Sequence, residues 1–220
     1  MSLCLCGSLT QMKLLPVALN VQDKQCLIVG GGPVAQRKAA ALLECGARVT
    51  VVAPVLCDCF APLLASVEHV KRVYRDGDCD GYDLIFACTG DRDTNEEVMR
   101  VAQMYGIWCN VADDPGASDF HSAATVRRGD ICIGITTTGG SPALSRHLKA
   151  IVADGIGPEY EQLLDIMSAR RAALPDALDR QAERAGLWRA ILNSDALNLL
   201  KHGKRLEAEA LVDGILGDGP

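Results

Sequence analysis

The sequence predicts an α/β fold: a parallel, doubly wound sheet followed by a small β segment and an all-helical C-terminal segment. Three observations carry that prediction. Uninterrupted apolar runs recur at "QCLIVGGG", "YDLIFACTG" and "IWCNVADDP", each ending at a turn, as strands buried on both faces do. Helix-forming stretches with recognisable stop signals lie between them, so strand and helix alternate. From residue 141 onward the pattern is helical only.

Taken in order, residues 25–32 are a buried strand entering a tight turn, closed by three glycines. A helix follows over 33–47, with Pro33 in its first turn and Gly46 at its C-terminal end. "RVTVVAP" at 48–54 is a second strand, stopped by Pro54, and "VEHVKRV" at 67–73 alternates in the manner of a half-exposed edge. The fourth strand lies within 82–90. The next helix, 93–106, has an Asp or Thr cap, acids in its first turn and a closing glycine. Residues 107–115 make the fifth strand. Segment 119–142 then forms two strands joined at "RRGD", a hairpin-sized unit. Helices are expected over 141–153, 159–172 and about 175–192, with a weaker stretch to 213. The chain thus divides at 1–116, 117–150 and 151–220.

Composition excludes several classes of function. The apolar fraction of 49% and charged fraction of 23% are those of a packed globular protein. Three Phe, four Tyr and two Trp are too few for a stacking platform for single strands, and a net charge of −6 disfavours phosphate-backbone binding, so no nucleic-acid partner is expected. No stretch approaches the ~20 apolar residues of a membrane helix. The N-terminal "MSLCLCGSLTQMKLLP" lacks the early basic region of a secretory signal and carries no assigned role. Of the ten cysteines, Cys26, Cys88, Cys109 and Cys132 fall in apolar runs, where a reduced cysteine behaves as a small hydrophobe. Cys4/Cys6 and Cys57/Cys59 are C-x-C pairs, and no C-x2-C pair recurs at zinc spacing. The expectation is buried or incidental thiols, no metal site, and a reducing cytoplasm.

Gly30-Gly31-Gly32-Pro33-Val34-Ala35 matches G-x-G-x-x-A, directly after a strand and at the mouth of a helix. In this Rossmann-type fingerprint Gly30 permits the tight turn, Gly32 lets backbone approach a pyrophosphate, and Ala35 lets helix and sheet pack closely. The helix N-terminus offers its amides to the phosphates. The ribose-binding acid that should end the second strand is missing, since Val52, Ala53 and Pro54 stand there. No Arg or Lys follows to hold a 2′-phosphate. NAD is therefore the default cofactor, with backbone near Pro54 and Val55 left to carry the ribose contact.

"LPVAL…KQCLIVGGGPVAQRKAAALLECGARVTVVAP", "FACTGDRDTNEEV", "CNVADDP…SDF" and "GITTTGGSPALSRHL", in this order, resemble the precorrin-2 dehydrogenase family. That family comprises the N-terminal module of siroheme synthases and its stand-alone relatives. The resemblance runs from about Leu15 to Lys149 and thins afterwards. It implies oxidation of precorrin-2 to sirohydrochlorin with NAD⁺, and in some members insertion of Fe²⁺ as a second substrate. It also implies a homodimer built through the 117–150 segment. With 220 residues there is no room for the methyltransferase module of fused enzymes, so a stand-alone form is expected.

Aligned on "CN-V-x-D", Asp113 takes the position of the family's catalytic aspartate. Dehydrogenation removes a hydride and a proton, and a carboxylate at a strand's C-terminal edge suits the proton's general base. Asp114 would raise one of the two pKa values by like-charge repulsion, or would simply cap a turn before Pro115. Thr89, in "FACTG", joins Gly30, Gly31, Gly32, Pro33, Val34, Pro54 and Val55 as a cofactor candidate. The precorrin substrate carries many carboxylates, so an acidic protein needs local cations. Arg146 is favoured over Arg37, Lys38, Arg127, Arg128 and Lys149. Thr137, in the hydroxyl-rich loop 136–141, Asn110 and His121 complete the substrate candidates. The loop serves equally well as a helix cap, and His121 as a surface residue. Ala123 stands where the family has a proline, which puts the local turn in question. Two other readings remain open: a bifunctional dehydrogenase and ferrochelatase, which shares every motif, and a non-catalytic NAD-sensing module.

Overall fold

The computed structural model describes residues 13–173 and 181–217. Five strands form one parallel sheet in the order β3-β2-β1-β4-β5. They are β1 (Gln25–Val29), β2 (Arg48–Val52), β3 (Val67–Val70), β4 (Leu84–Ala87) and β5 (Trp108–Val111), with α1 (Pro33–Glu44) after β1 and α2 (Arg92–Tyr105) after β4. The apolar runs are continuous because both faces of the sheet are covered. Along β1, Cys26 and Ile28 enter the core on the α1 side, while Leu27 and Val29 enter the core on the α2 side. β4 repeats the alternation, with Leu84 and Phe86 on one side and Ile85 and Ala87 on the other. β3 is the partly exposed edge that its alternating sequence predicts.

Element ends follow local chemistry. Gly32 precedes α1, whose first turn holds Pro33, and Gly46 takes a left-handed φ of 78° just beyond it. α2 begins one residue earlier than the sequence suggests, because the cap is Asp91, which accepts from the Thr94 amide at 3.2 Å. Gly106 closes that helix at φ 69°. Two short 3₁₀ turns, Asp58–Leu63 and Asp76–Cys79, lie in connections that the sequence leaves unassigned.

Contacts group the chain into two units, one ending at Ser122 and the other starting at Ala123. The sequence reading divides instead at residue 116. Residues 117–122 go with the sheet because Ser118 and Asp119 bond back to β5: the Val111 amide donates to Ser118 Oγ at 2.9 Å and the Cys109 amide to Asp119 Oδ2 at 2.9 Å. Phe120 stacks edge-on against Phe86 at 5.3 Å.

The second unit contains the expected hairpin, β6 (Ala124–Arg128) and β7 (Ile131–Ile135), antiparallel and turned at Gly129. α3 (Pro142–Gly155), α4 (Pro158–Ala173), α5 (Gln181–Leu192), α6 (Ala196–Lys201) and α7 (Arg205–Gly217) follow. The weaker helical stretch resolves into α6 and α7, broken at Gly203 with φ 74°. Leu163, Ile166, Ile191, Ala196, Leu200, Ala208 and Val212 form a core among α4 to α7, and backbone contacts group the small β segment with these helices. The start of the helix expected from 175 lies outside the described residues, as do Cys4 and Cys6.

The expectation for the cysteines needs two corrections. Cys57 and Cys59 are joined by a disulfide, since the turn between them brings their Cα atoms to 5.3 Å. Cys132 is exposed, because alternate residues of β7 face outward although the run is apolar. Cys26, Cys79, Cys88 and Cys109 are buried thiols, as expected. No helix among the described residues is long and apolar enough to cross a membrane.

Candidate functional site

Order β3-β2-β1-β4-β5 puts the reversal of strand order between β1 and β4, and ligands of such sheets bind in the crevice outside the carboxyl ends of the strands there. Gly30 leaves β1 with φ 122°, a conformation open to glycine, and its amide donates to the Val52 carbonyl at 2.9 Å. A Cβ on Gly30 would run into the Cys88 carbonyl, and one on Gly31 into the Val55 carbonyl. The loop is thereby clamped between the ends of β4 and β2. Gly32 differs: a Cβ there meets nothing within 4 Å, so its surface faces open space. α1 has no side-chain cap, which leaves its first amides for a ligand.

The cleft at this point has a volume of about 700 Å³ and is lined by Gly30, Gly31, Gly32, Pro54, Val55 and Thr89, six of the eight cofactor candidates. Pro33 and Val34 open α1 beside it. A glycine-clamped loop, uncapped helix amides and open space over Gly32 fit a dinucleotide phosphate. Four acids missed in the sequence also line the cleft: Asp76, Asp91, Asp93 and Glu97. Asp76 follows β3, not β2, so the expected spacing from the glycines does not reach it.

Asp113 and Asp114 follow β5, on the rim of a second cavity of about 430 Å³ lined also by Arg92, Asn95, Glu96 and Arg100. The two acids part company here. Asp114 Oδ1 accepts from the Gly116 and Ala117 amides at 3.0 and 3.1 Å, the turn-capping role. Asp113 instead accepts from Asn95 Nδ2 at 3.1 Å. Asn95 is 1% exposed and bonds three times more, all to Thr89: its Oδ1 accepts from the Thr89 amide (3.1 Å) and hydroxyl (2.8 Å), and its Nδ2 donates to the Thr89 carbonyl (3.2 Å). The sequence reading passes over Asn95. Its signal was available: a polar residue on the helix stripe otherwise made by Val98, Met99, Val101 and Ala102.

Asn110, the next candidate, is 6% exposed on β5. Its Nδ2 donates to the Phe120 carbonyl at 2.8 Å, while its Oδ1 is buried and has no partner among the described residues. His121 Nε2 donates to the Pro115 carbonyl at 2.9 Å and so braces the loop that carries Asp114. Cys88, near Asp113, is held as a thiol, its pKa pushed up to about 11 by burial. Lys38 stands over the Phe86 ring at 5.6 Å, and burial lowers its pKa from the ordinary value.

Thr137 and Arg146 belong to the second unit. The Thr137 hydroxyl accepts from the Ser141 amide at 3.2 Å and lies 3.0 Å from Ser145 Oγ, while Ser141 Oγ caps α3. Arg146 is exposed on α3. Arg128 is used structurally, donating to the Ile156 and Ala153 carbonyls at 2.8 Å each and so capping α3. Among the described residues no group of three His, Cys, Asp or Glu side chains is placed to hold a metal ion.

Residues 17–124 match the family model described as "Putative NAD(P)-binding". The siroheme synthase of Thioalkalivibrio sulfidiphilus is 32% identical over 210 residues, which is 94% of this chain and 43% of that protein. That of Nitrosomonas eutropha is 34% identical over 201 residues, 90% of this chain and 42% of that protein. The chain thus spans less than half the length of these curated relatives. Among solved structures it resembles "SirC, precorrin-2 dehydrogenase" with a TM-score of 0.72 at 22% identity, covering 91% of this chain and all of that one, a likeness of fold.

Proposed function

We propose that this chain, which matches an NAD(P)-binding family model over residues 17–124 and is 32–34% identical to siroheme synthases over less than half their length, is an NAD-dependent precorrin-2 dehydrogenase with Asp113 as general base. One observation carries the reading: the carboxylate after β5 is tied through a single buried amide to Thr89 of the dinucleotide cleft. Base and cofactor pocket are therefore neighbours, as a reaction that removes a hydride and a proton requires. NAD⁺, when bound, accepts the hydride. The glycine loop and the α1 amides hold the phosphates, and the acids around the cleft disfavour the extra 2′-phosphate of NADP. Asp113 Oδ1 is held by Asn95, and the carboxylate takes the proton released from the macrocycle, ending as sirohydrochlorin. Asn110 is a further proposed substrate contact, its Oδ1 being without a partner among the described residues. Arg146, Thr137 and His121 are further proposed contacts.

Anaerobic turnover of precorrin-2 with NAD⁺, followed by the absorbance of sirohydrochlorin, tests this directly. Wild type turns over, and Asp113→Asn loses about 10²- to 10⁴-fold in kcat while still binding NAD⁺. Wild type that binds NAD⁺ but leaves precorrin-2 unchanged points to another substrate or to a sensor. Adding Fe²⁺ to the product mixture reads chelatase activity separately.

A further inference from the structure

Asn95 makes four hydrogen bonds from one buried amide, and they leave it no freedom. Its oxygen accepts from the Thr89 amide and faces the Thr89 hydroxyl, whose one proton is shared with the Asp91 carbonyl. Its nitrogen must therefore face the Thr89 carbonyl and Asp113 Oδ1, so the orientation of the amide is set by Thr89 and read out at Asp113. Thr89 is itself on the wall of the dinucleotide cleft, beside the Cys88 carbonyl against which Gly30 packs. We propose that Asn95 is a positioning residue which fixes the Asp113 carboxylate relative to bound cofactor, transmitting the placement of Thr89 to the base. The inference rests on Asp113 being the base.

The physical consequences are specific. The donated N–H pins one oxygen of Asp113, so the other keeps its direction toward substrate. Charged and titratable groups around Asp113 are Arg92, Glu96 and Arg100 from α2, Cys88 after β4, and Asp114 on its own loop. Arg92 is paired with Glu96 and Arg100 with Glu97, and Asp114 is turned to cap the loop. Asn95 is the direct donor to the carboxylate among the described residues.

Three variants decide the matter, assayed with precorrin-2 and NAD⁺ across pH in the full chain. Asn95→Ala removes the tether and lowers kcat about 10-fold or more, with KM for NAD⁺ changed less than threefold. Asn95→Asp keeps the shape and the acceptor facing Thr89 but sets a second carboxylate against Asp113. Its activity recovers only at higher pH, the acid limb of the kcat/KM profile moving up by about one pH unit. Asp113→Asn is the control. If it retains turnover, the base reading fails and the inference falls with it. If it is inactive while both Asn95 variants keep the wild-type kcat and acid limb, the base stands and Asn95 has no positioning role. Losses in Asn95→Ala that merely follow the fraction of unfolded protein, together with an unmoved limb in Asn95→Asp, also overturn the proposal.

Discussion

Arg72 and Asp78 form a two-pronged pair, with both N–O distances at 2.6 Å, and Asp78 Oδ2 also accepts from the Arg75 amide at 2.8 Å. These bonds hold the Asp78 carboxyl below its ordinary value of 3.8. A depressed native pKa contributes stability that is fully present above that ordinary value and is lost as pH falls through the native one. Because Arg72 is a third exposed, solvent screening limits the expected loss in Asp78→Asn to about 1 kcal/mol at pH 7. Urea unfolding at pH 7 and again near pH 3 checks this, and the difference between wild type and variant shrinks at the lower pH. The same scale shows what was readable in the site. Asp113 and Asp114 are adjacent and chemically identical, and their partners, a buried amide for one and two loop amides for the other, separate the proposed base from the turn cap. The apolar stripe of α2 could have marked Asn95 as a buried polar group, but not its partners, which lie 6 and 18 residues away.

At the scale of elements, the glycine loop makes two glycines with one local signature behave differently. Gly31→Ala drives a methyl into the Val55 carbonyl, and the loop must shift, so stability and NAD⁺ affinity fall together. Gly32→Ala meets no protein atom, and Gly32 has φ −87°, which alanine adopts freely. That variant keeps its melting temperature and loses NAD⁺ affinity about 10-fold or more, because the methyl occupies the space of the phosphate. Calorimetric titration beside thermal melting distinguishes the two. Binding of NADP⁺ weaker than NAD⁺ in the same titration is expected from the acids of the cleft. The loop and its helix were legible because glycine, proline and an apolar run report local backbone needs. The acids were not, since they converge from the segment after β3 and from α2.

For the whole molecule, the second unit leaves apolar surface uncovered: α3 has no buried residue, and Leu144 and Ile151 are 47% and 55% exposed. In β6 and β7 only Val126 is buried. We propose that a symmetric partner covers these faces, and sedimentation giving twice 23.4 kDa is the expected result. Leu144→Glu together with Ile151→Glu shifts the mass to that of one chain. The parallel sheet, the succession of strands and helices along the chain, the hairpin and the phosphate loop were determined by the sequence itself. Each depends on periodicity, turn residues and caps that act within a few neighbours. Tertiary structure decided the rest: the Cys57–Cys59 bond, the outward face of Cys132, the capping duty of Arg128, the acids gathered at the cleft and the bridge from Thr89 through Asn95 to Asp113. Those depend on which side chains meet after the strands pair, and a one-dimensional pattern carries no distance between residues that only folding brings together.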